Sequence, residues 1–237
     1  MNKKILGIGN AIVDVLAKVD DEFLIKRNLI KGSMKLINLL SKSIKNPKTS
    51  LKYRNQFTLL TSVVLSAQCT DVNVNNVTKN IYKKYYTPKH FADLGVNRIR
   101  KLIKSIGLFN NKAKNLYYLS KILLEKHQSK VPNNLEDLIL LPGVGRKTAN
   151  VVLNEVFNKP TIAVDTHVFR VANRTGLSSG KNPEQVENQL LKILPKKYIK
   201  KAHHLILLHG RYTCKARNPL CKKCVINKVC LYKGKNE

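Results

Sequence analysis

Apolar residues recur at helical spacing through most of the chain. The stretch 57–67 shows this most clearly, because its apolar residues fall at i, i+3, i+4 and i+7, as in a helix that packs one stripe against a core. These residues are Leu60, Val63, Val64 and Ala67. Similar periodicity predicts helices over 35–45, 72–85, 98–106, 112–127, 135–140 and 146–157. Only the first ten residues and 161–164 look extended, so the pattern predicts an all-α protein.

Residues 1–34 differ in character from the rest of the chain. The stretch 5–15 resembles the opening strand and turn of ribokinase-like sugar and nucleoside kinases. It does not fit a dinucleotide-binding fingerprint, because Ile12 stands where that motif requires its third glycine. No later part of the chain supplies a nucleotide-binding sheet. We therefore expect residues 1–34 to be an appended kinase-like leader without function; a working sugar-kinase part is the remote alternative.

The balance of charge points to a polyanionic partner. The 237-residue chain has 44 Lys and Arg against 14 Asp and Glu, which gives a formal net charge of +30. Clustered cations gain binding free energy by releasing counterions from a phosphate backbone, so nucleic acid is the first hypothesis. The richness in Lys, Asn and Ile is also typical of proteins from AT-rich genomes, and this composition offers a second explanation of the charge.

The sequence gives no sign of a membrane anchor or of secretion. No apolar run approaches the roughly 18 residues of a transmembrane helix. The apolar stretch 5–19 contains Asn10 and Asp14 and lacks a small-residue cleavage site, so it does not fit a signal peptide. Four of the five cysteines lie together in the C-terminal tail, unlike the scattered pairs of a secreted disulfide framework. We expect an intracellular protein.

The tail carries a set of candidate metal ligands. They are Cys214, Cys221, Cys224 and Cys230. Four thiolates this close in sequence can converge only if a metal or a cluster neutralises them. Zinc ribbons usually have two C-x2-C pairs, whereas one such pair flanked by longer loops suits a cubane cluster, so spacing favours iron and sulfur but leaves zinc open. Lys215 and Arg217 fall in the first loop between cysteines, either as DNA contacts or as solvated surface charges.

A second motif is the sequence Leu-Pro-Gly-Val-Gly at 141–145, which connects two predicted helices. Asn133 and Glu136 have the spacing of a capping box at the start of the first helix. Gly143 and Gly145 allow a tight turn whose backbone N–H groups can bind a phosphate oxygen at a helix start. We interpret the segment as a helix-hairpin-helix; a tight helix connection without a ligand is the alternative.

Lys147 and Asp165 are the candidate catalytic pair. Lys147 falls in the first turn of the helix after the hairpin, where the helix dipole and Arg146 both disfavour the ammonium form and make a nucleophilic amine available. A phosphate contact or a solvated surface lysine is the simpler alternative. Asp165 follows the extended segment 161–164 and precedes an amphipathic helix, so it can serve as an ordinary N-cap, as a carboxylate partner of the lysine, or as both.

Several motifs together resemble the endonuclease III family of helix-hairpin-helix DNA glycosylases. The matching stretches, in chain order, are 65–71, 141–152, 164–171 and 209–214, followed by the four-cysteine spacing. The resemblance covers roughly residues 35–237. It implies a base-excision repair enzyme that removes oxidised pyrimidines from double-stranded DNA and cuts the abasic strand by β-elimination. It also implies that the cysteines hold a [4Fe-4S] cluster. From the same resemblance we expect a monomer in the bacterial cytoplasm that associates with the nucleoid.

The resemblance assigns roles residue by residue. Lys147 matches the catalytic lysine of the family, Asp165 matches its catalytic carboxylate, and the four cysteines match the cluster ligands. Gln68 and Leu108 match positions that enter the duplex when a lesion is flipped out, although Leu108 would otherwise be read as core. Asp71 and His167 match positions that line the substrate pocket. The expected DNA contacts also include Gly143, Gly145, Arg146, Thr148, Lys215 and Arg217.

In the fold that the resemblance implies, a six-helix barrel lies beside a helical cluster domain, and the catalytic pair faces a cleft between them. This predicts a barrel domain at 49–159, and a second domain that combines 35–48 with 160–237. The family has no kinase-like leader, so residues 1–34 are a departure from it.

Two alternatives to a bifunctional enzyme remain open. A monofunctional glycosylase of the same superfamily shares the cluster, but it lacks a lysine at the position of Lys147 and carries a further recognition domain. A non-catalytic DNA-binding module with a structural metal site would also explain the hairpin, the charge and the cysteines.

Overall fold

The computed structural model describes residues 4–10, 13–19 and 33–235. Strand β1 (Lys4–Asn10) pairs with β2 (Val13–Val19) in an antiparallel hairpin whose register places Lys4 opposite Val19. The extended conformation predicted for the first ten residues is therefore confirmed over β1. Much of the predicted leader, residues 1–3, 11–12 and 20–32, lies outside the described residues.

The predicted all-α class is confirmed, since residues 33–235 contain helices and loops but no strand. The helices are α1 (Ser33–Ser43), α2 (Gln56–Ser66), α3 (Asp71–Lys84), α4 (Pro88–Leu102), α5 (Phe109–Lys126), α6 (Leu135–Ile139), α7 (Arg146–Glu155), α8 (Thr166–Thr175), α9 (Pro183–Ile193) and α10 (Lys196–Tyr212). Two short 3-10 helices follow at Cys221–Lys223 and Asn227–Val229.

One predicted helix start and one predicted capping residue were wrong, for local reasons. Helix α4 begins at Pro88, ahead of the predicted 98, because Thr87 caps it through a hydrogen bond from His90 N to Thr87 Oγ1 of 3.2 Å. Gly95, with φ of +67°, kinks this helix and interrupts its periodicity. Helix α6 is capped by Asn134, whose Oδ1 accepts from Asp137 N at 2.7 Å, and not by Asn133 as the predicted capping box requires.

The buried side chains form two separate cores. Helices α2–α7 contribute to the first core, which includes Leu60, Leu116 and Val152. Helices α1 and α8–α10 contribute to the second core together with Ile226 of the tail. The chain therefore passes from the second core into the first and back again. This separation supports the predicted division at 49–159, although the boundaries stay a prediction.

The second core brings α8 and α10 unusually close together. A Cβ atom on Gly210 would lie 2.9 Å from His167 Cβ and 3.0 Å from its carbonyl oxygen, so a side chain at this position of α10 would collide with α8.

Among the described helices, none combines the length and the apolar character needed to cross a bilayer.

Candidate active site and cysteine cluster

A cleft with about 630 Å³ of empty space holds both predicted catalytic residues. Lys147 reaches it from the start of α7, and Asp165 from the segment before α8. Asp71 of α3, His203 of α10 and Ser50 of the linker before α2 also line it. Because residues of both cores line the cleft, a ligand bound there would contact each of them.

Side-chain hydrogen bonds tie the segment before Asp165 to the helix that carries Lys147. Asn154 Nδ2 donates to Thr161 O at 2.7 Å, and Thr161 Oγ1 donates to Asn150 O at 2.7 Å. Both asparagines are buried on α7. These bonds fix the approach to Asp165 relative to the first turns of α7.

The predicted N-cap role of Asp165 is confirmed. Its Oδ1 accepts hydrogen bonds from His167 N at 2.9 Å and from Val168 N at 2.8 Å. Within residues 33–235, no hydrogen bond engages the second carboxylate oxygen, Oδ2. The cap therefore orients the carboxylate and leaves one oxygen available to a ligand in the cleft.

A buried carboxylate that sequence analysis missed holds the start of α7. Arg146 donates from Nε and Nη2 to the two carboxylate oxygens of Glu187 on α9, at 3.0 and 2.9 Å. These hydrogen bonds are the main reason that the pKa of Arg146 is raised. The Arg146 side chain is 44% exposed beside this pair, and the predicted DNA contact of Arg146 stays a prediction. The bidentate pair connects the two cores beside Lys147.

A histidine pair that the sequence analysis did not single out forms the wall of the cleft near Lys147. His203 and His204 are both buried on α10, with ring centroids 4.8 Å apart. Burial, with smaller contributions from His204 and Lys147, lowers the pKa of His203 to about 3, so its ring is neutral at physiological pH. His204 Nε2 contacts Glu155 Oε1 of α7. The neutral imidazole of His203 therefore adds no positive charge to the wall beside Lys147.

The two residues predicted to line the substrate pocket differ in placement. Asp71 lines the cleft, and its Oδ2 lies 3.0 Å from Arg211 Nη1, in an ion pair that links α3 with α10. His167 is not among the described residues that line the cleft. Its Nδ1 lies 3.1 Å from Arg170 Nη2, which also donates to Gly210 O at 2.8 Å. In this structure His167 therefore belongs to the packing between α8 and α10.

The two residues predicted to enter the duplex lie on neighbouring loops. Gln68 and Leu108 both have left-handed backbones, with φ of +52° and +59°. The loops approach each other, since a Cβ on Gly107 would lie 3.6 Å from Gln68 O. Leu108 is 55% exposed, so the alternative that it belongs to the core is wrong.

The predicted hairpin connects α6 to α7. Gly143 has a φ of +79°, and a Cβ there would lie 2.7 Å from Asn115 Nδ2. Gly145 is the N-cap of α7 and has open space where a Cβ would stand. Thr148 follows in the first turn of α7, where free backbone N–H groups suit a phosphate oxygen.

Gly143→Ala is expected to destabilise the protein by about 1–3 kcal/mol, because alanine disfavours the left-handed conformation and its Cβ meets Asn115. Gly145→Ala is the matched control, and its free energy of unfolding should change by only about 0.5 kcal/mol. Urea unfolding of both variants gives the comparison. Equal losses would mean that the backbone conformation does not explain the glycine at 143.

The four predicted cysteine ligands line one cavity of about 340 Å³. Cys214 Sγ lies 3.7 Å from Arg174 Nη1, and Cys224 Sγ lies 3.6 Å from His209 Nε2. Burial, and to a lesser degree the other three thiols, raise the pKa of Cys224. Over residues 33–235, no three His, Cys, Asp or Glu side chains converge as closely as a single metal ion requires. Four thiols that line one cavity without converging on a single point suit a multi-atom cluster better than one ion.

Arg174 holds the backbone of the loop between Cys214 and Cys221. Arg174 donates to Lys215 O at 2.7 Å and to Ala216 O at 3.0 Å, and its guanidinium lies 4.6 Å from the centre of the Tyr232 ring. The side chains of Lys215 and Arg217 are exposed. The loop therefore presents two cations on a fixed backbone next to the cysteine cavity.

Known proteins resemble this chain over most of its length. Residues 61–196 match the family described as the HhH-GPD superfamily base excision DNA repair protein. The chain is 57% identical over 198 residues to the endonuclease III of Rickettsia conorii, which covers 84% of this chain and 94% of that protein. It is 50% identical over 202 residues to the endonuclease III of Escherichia coli strain K12, covering 85% and 96%.

A solved structure gives the same result for the fold. The trapped covalent intermediate of an endonuclease III with DNA superposes with a TM-score of 0.81 at 42% sequence identity, over 85% of this chain and 96% of that one. The family model spans more than half of the chain, and the relatives are matched over nearly their whole length. The chain therefore belongs to the endonuclease III family of the HhH-GPD base excision DNA repair superfamily.

Proposed function

We propose that the protein is a bifunctional DNA glycosylase that removes oxidised pyrimidines from double-stranded DNA and cuts the resulting abasic strand by β-elimination. The observation that carries the proposal is the presence of Lys147 and Asp165 in one cleft, with a carboxylate oxygen of Asp165 available. A nucleophilic amine and a carboxylate facing the same space are the groups that Schiff-base chemistry at a sugar requires. The membership of the endonuclease III family supports the same assignment.

The first step is the replacement of the base by the lysine. The damaged nucleotide leaves the base stack and enters the cleft. Unstacking and unpairing it costs a few kcal/mol, and the cost is smaller where pairing is already weak. The amine nitrogen of Lys147 bonds to C1′ of the deoxyribose, and the base leaves with the electron pair of the broken C1′–N bond and takes up a proton from water. Asp165 stabilises the positive charge on the sugar and accepts the proton that the amine gives up.

The second step cuts the strand. The C1′–O4′ bond then breaks, O4′ takes up the proton held by Asp165, and the lone pair of the nitrogen forms an iminium between Lys147 and C1′. The iminium makes the adjacent C2′ proton acidic. When a base removes that proton, its electrons form the C2′–C3′ double bond, and the 3′ phosphate leaves with the electrons of the C3′–O bond. Hydrolysis of the iminium then frees Lys147.

The DNA contacts follow the exposed features around the cleft. The N–H groups at the hairpin of Gly143 and Gly145, with Thr148, would hold one phosphate, and Lys215 and Arg217 would bind another part of the backbone. Gln68 and Leu108 would fill the space that an everted nucleotide leaves. Phosphate contacts by Lys and Arg release counterions, so the net charge of +30 would favour binding to DNA.

The cysteine cavity fits a [4Fe-4S] cluster held by Cys214, Cys221, Cys224 and Cys230. A bound cluster would supply a rigid, charge-balanced crosslink, and the reaction above draws no electrons from it. Arg174 would compensate part of its negative charge through the contact with Cys214. The monomeric state and the location in the bacterial cytoplasm stay predictions.

Protein purified without oxygen is expected to contain equal amounts of iron and sulfide, about four of each per chain. Cys221→Ala removes one thiolate and should lower the iron content and the temperature of unfolding. Cys69→Ala is the matched control, because Cys69 lies outside the cavity and should leave the iron content unchanged. One zinc per chain, or iron that survives loss of Cys221, would contradict the assignment.

The proposed function is tested with a duplex that contains one abasic site. The bifunctional enzyme should nick this duplex, and borohydride should trap a covalent protein–DNA complex by reducing the iminium. Binding without nicking or trapping would instead support a monofunctional glycosylase or a DNA-binding module. A panel of duplexes with different oxidised pyrimidines then ranks the lesions.

A further inference from the structure

Lys112 on α5 is a buried lysine that the reaction above does not use. Only 4% of its surface is exposed. Its Nζ donates to Leu65 O at 2.9 Å and to Ala67 O at 2.6 Å, both at the C-terminal end of α2. Burial lowers its pKa, and the nearby Cys69 thiol acts in the opposite direction. Lys112 forms no ion pair with any residue of the described part 33–235.

A lysine in this position is costly as a means of stabilising a core. Removing an ammonium from water carries a large desolvation penalty, and a well-packed apolar side chain of similar size is often at least as stabilising. The carbonyl groups at the negative end of the α2 dipole compensate the charge only in part. Packing alone therefore does not account for Lys112.

Lys112 connects the two loops that carry the exposed residues Gln68 and Leu108. The carbonyl oxygen of Ala67 accepts a hydrogen bond from the Lys112 ammonium, and Ala67 directly precedes Gln68. At its other end, Lys112 N donates to Leu108 O at 3.1 Å, in the first turn of α5. One residue thus fixes the backbone on the inner side of both loops.

Asn73 makes a second connection between the same loops. Its Nδ2 lies 3.3 Å from Cys69 Sγ and 3.1 Å from Ser105 O. Cys69 follows Gln68, and Ser105 lies three residues before Leu108. The two loops are therefore held together from both sides.

The backbones of Gln68 and Leu108 need such support. Both residues adopt a left-handed backbone conformation, which is unfavourable for residues other than glycine. Conformations of this kind persist where the surrounding structure enforces them, and they concentrate at functional sites. The contacts of Lys112 and Asn73 supply this constraint on each side of the exposed tips.

We propose that Lys112 is a positioning residue that holds Gln68 and Leu108 together as one preformed wedge for the base stack. The inference rests on the proposed function, because it assumes that these two side chains occupy the space left by an everted nucleotide. Lys112 itself touches neither the DNA nor the reacting sugar. Its loss should impair the opening of a stacked duplex and spare the chemistry at a sugar that is already accessible.

The test compares Lys112→Met with the wild-type chain on two substrates that share one abasic strand. On the paired duplex, kcat/KM for nicking should fall by about tenfold or more, since small displacements of positioning groups have effects of this order. On the unpaired single strand, where no stack has to be opened, nicking and borohydride trapping should stay within about twofold. Lys114→Met is the matched control, because Lys114 is an exposed lysine of the same helix and its loss removes the same charge.

Asn73→Ala provides a second variant with the same expected selectivity. It removes the other connection between the loops without burying a new group, so it tests the proposal even where Lys112→Met does not fold. Equal losses on both substrates, or no loss on the duplex in either variant, would overturn the proposal. Wild-type protein that nicks neither substrate would instead contradict the proposed function, so the two failures are distinguishable.

Discussion

Replacing Lys147 with Gln is expected to lower the rate of strand nicking by at least about a thousandfold, because the amide cannot form the bond to C1′ through which both steps pass. Borohydride trapping should disappear for the same reason. Lys147 is exposed at the start of α7 and makes no hydrogen bond to another residue of the described chain, so the free energy of unfolding should change little. Affinity for an abasic duplex should remain measurable, since the other phosphate contacts persist.

Lys48→Gln is the control for the identity of the nucleophile. Lys48 lies on the linker before α2 and lines the same cleft, so it is a second lysine that could reach a sugar there. Trapping should persist in Lys48→Gln and be absent from Lys147→Gln. The reverse pattern would place the nucleophile on the linker and would contradict the mechanism proposed for Lys147.

Features that depend on short stretches of sequence could be predicted. Asp165 was expected to cap a helix because an extended segment precedes it and an amphipathic pattern follows, and both determinants lie within a few residues. The start of α7 at Arg146 is similarly local, since the glycine turn ends where the apolar stripe begins. The roles of Gln68 and Leu108 came from the family resemblance alone, because nothing in their own segments reveals an exposed tip.

Contacts between distant segments could not be predicted from periodicity. Arg146 is one example, because Glu187, which accepts hydrogen bonds from its guanidinium, is 41 residues away in the chain. The ion pair between Asp71 and Arg211 spans 140 residues, and neither residue carries a signal for the other. Lys112 illustrates the same limit, because its helical pattern does not reveal that the carbonyl groups of α2 lie within reach. Such contacts depend on how the two cores pack, which no single segment determines.

Asp165 combines two roles in one side chain, and two substitutions separate them. Asp165→Asn retains an acceptor for His167 N and Val168 N but removes the negative charge. Its free energy of unfolding should fall by about 0.5 kcal/mol, the part contributed by a charge at a helix N-terminus. Nicking should nevertheless fall by about a hundredfold, because a neutral amide stabilises a cationic sugar poorly and cannot accept the proton of Lys147.

Asp165→Ala removes the cap as well as the charge, so the protein should lose about 1–2 kcal/mol of stability while nicking falls at least as far as in Asp165→Asn. Denaturant unfolding measures the first quantity, and single-turnover nicking of an abasic duplex measures the second. An asparagine variant that nicks at the wild-type rate would mean that Asp165 acts only as a cap. An alanine variant as stable as the asparagine variant would mean that the hydrogen bonds from His167 N and Val168 N contribute little, and that the carboxylate is retained at this position for the reaction alone.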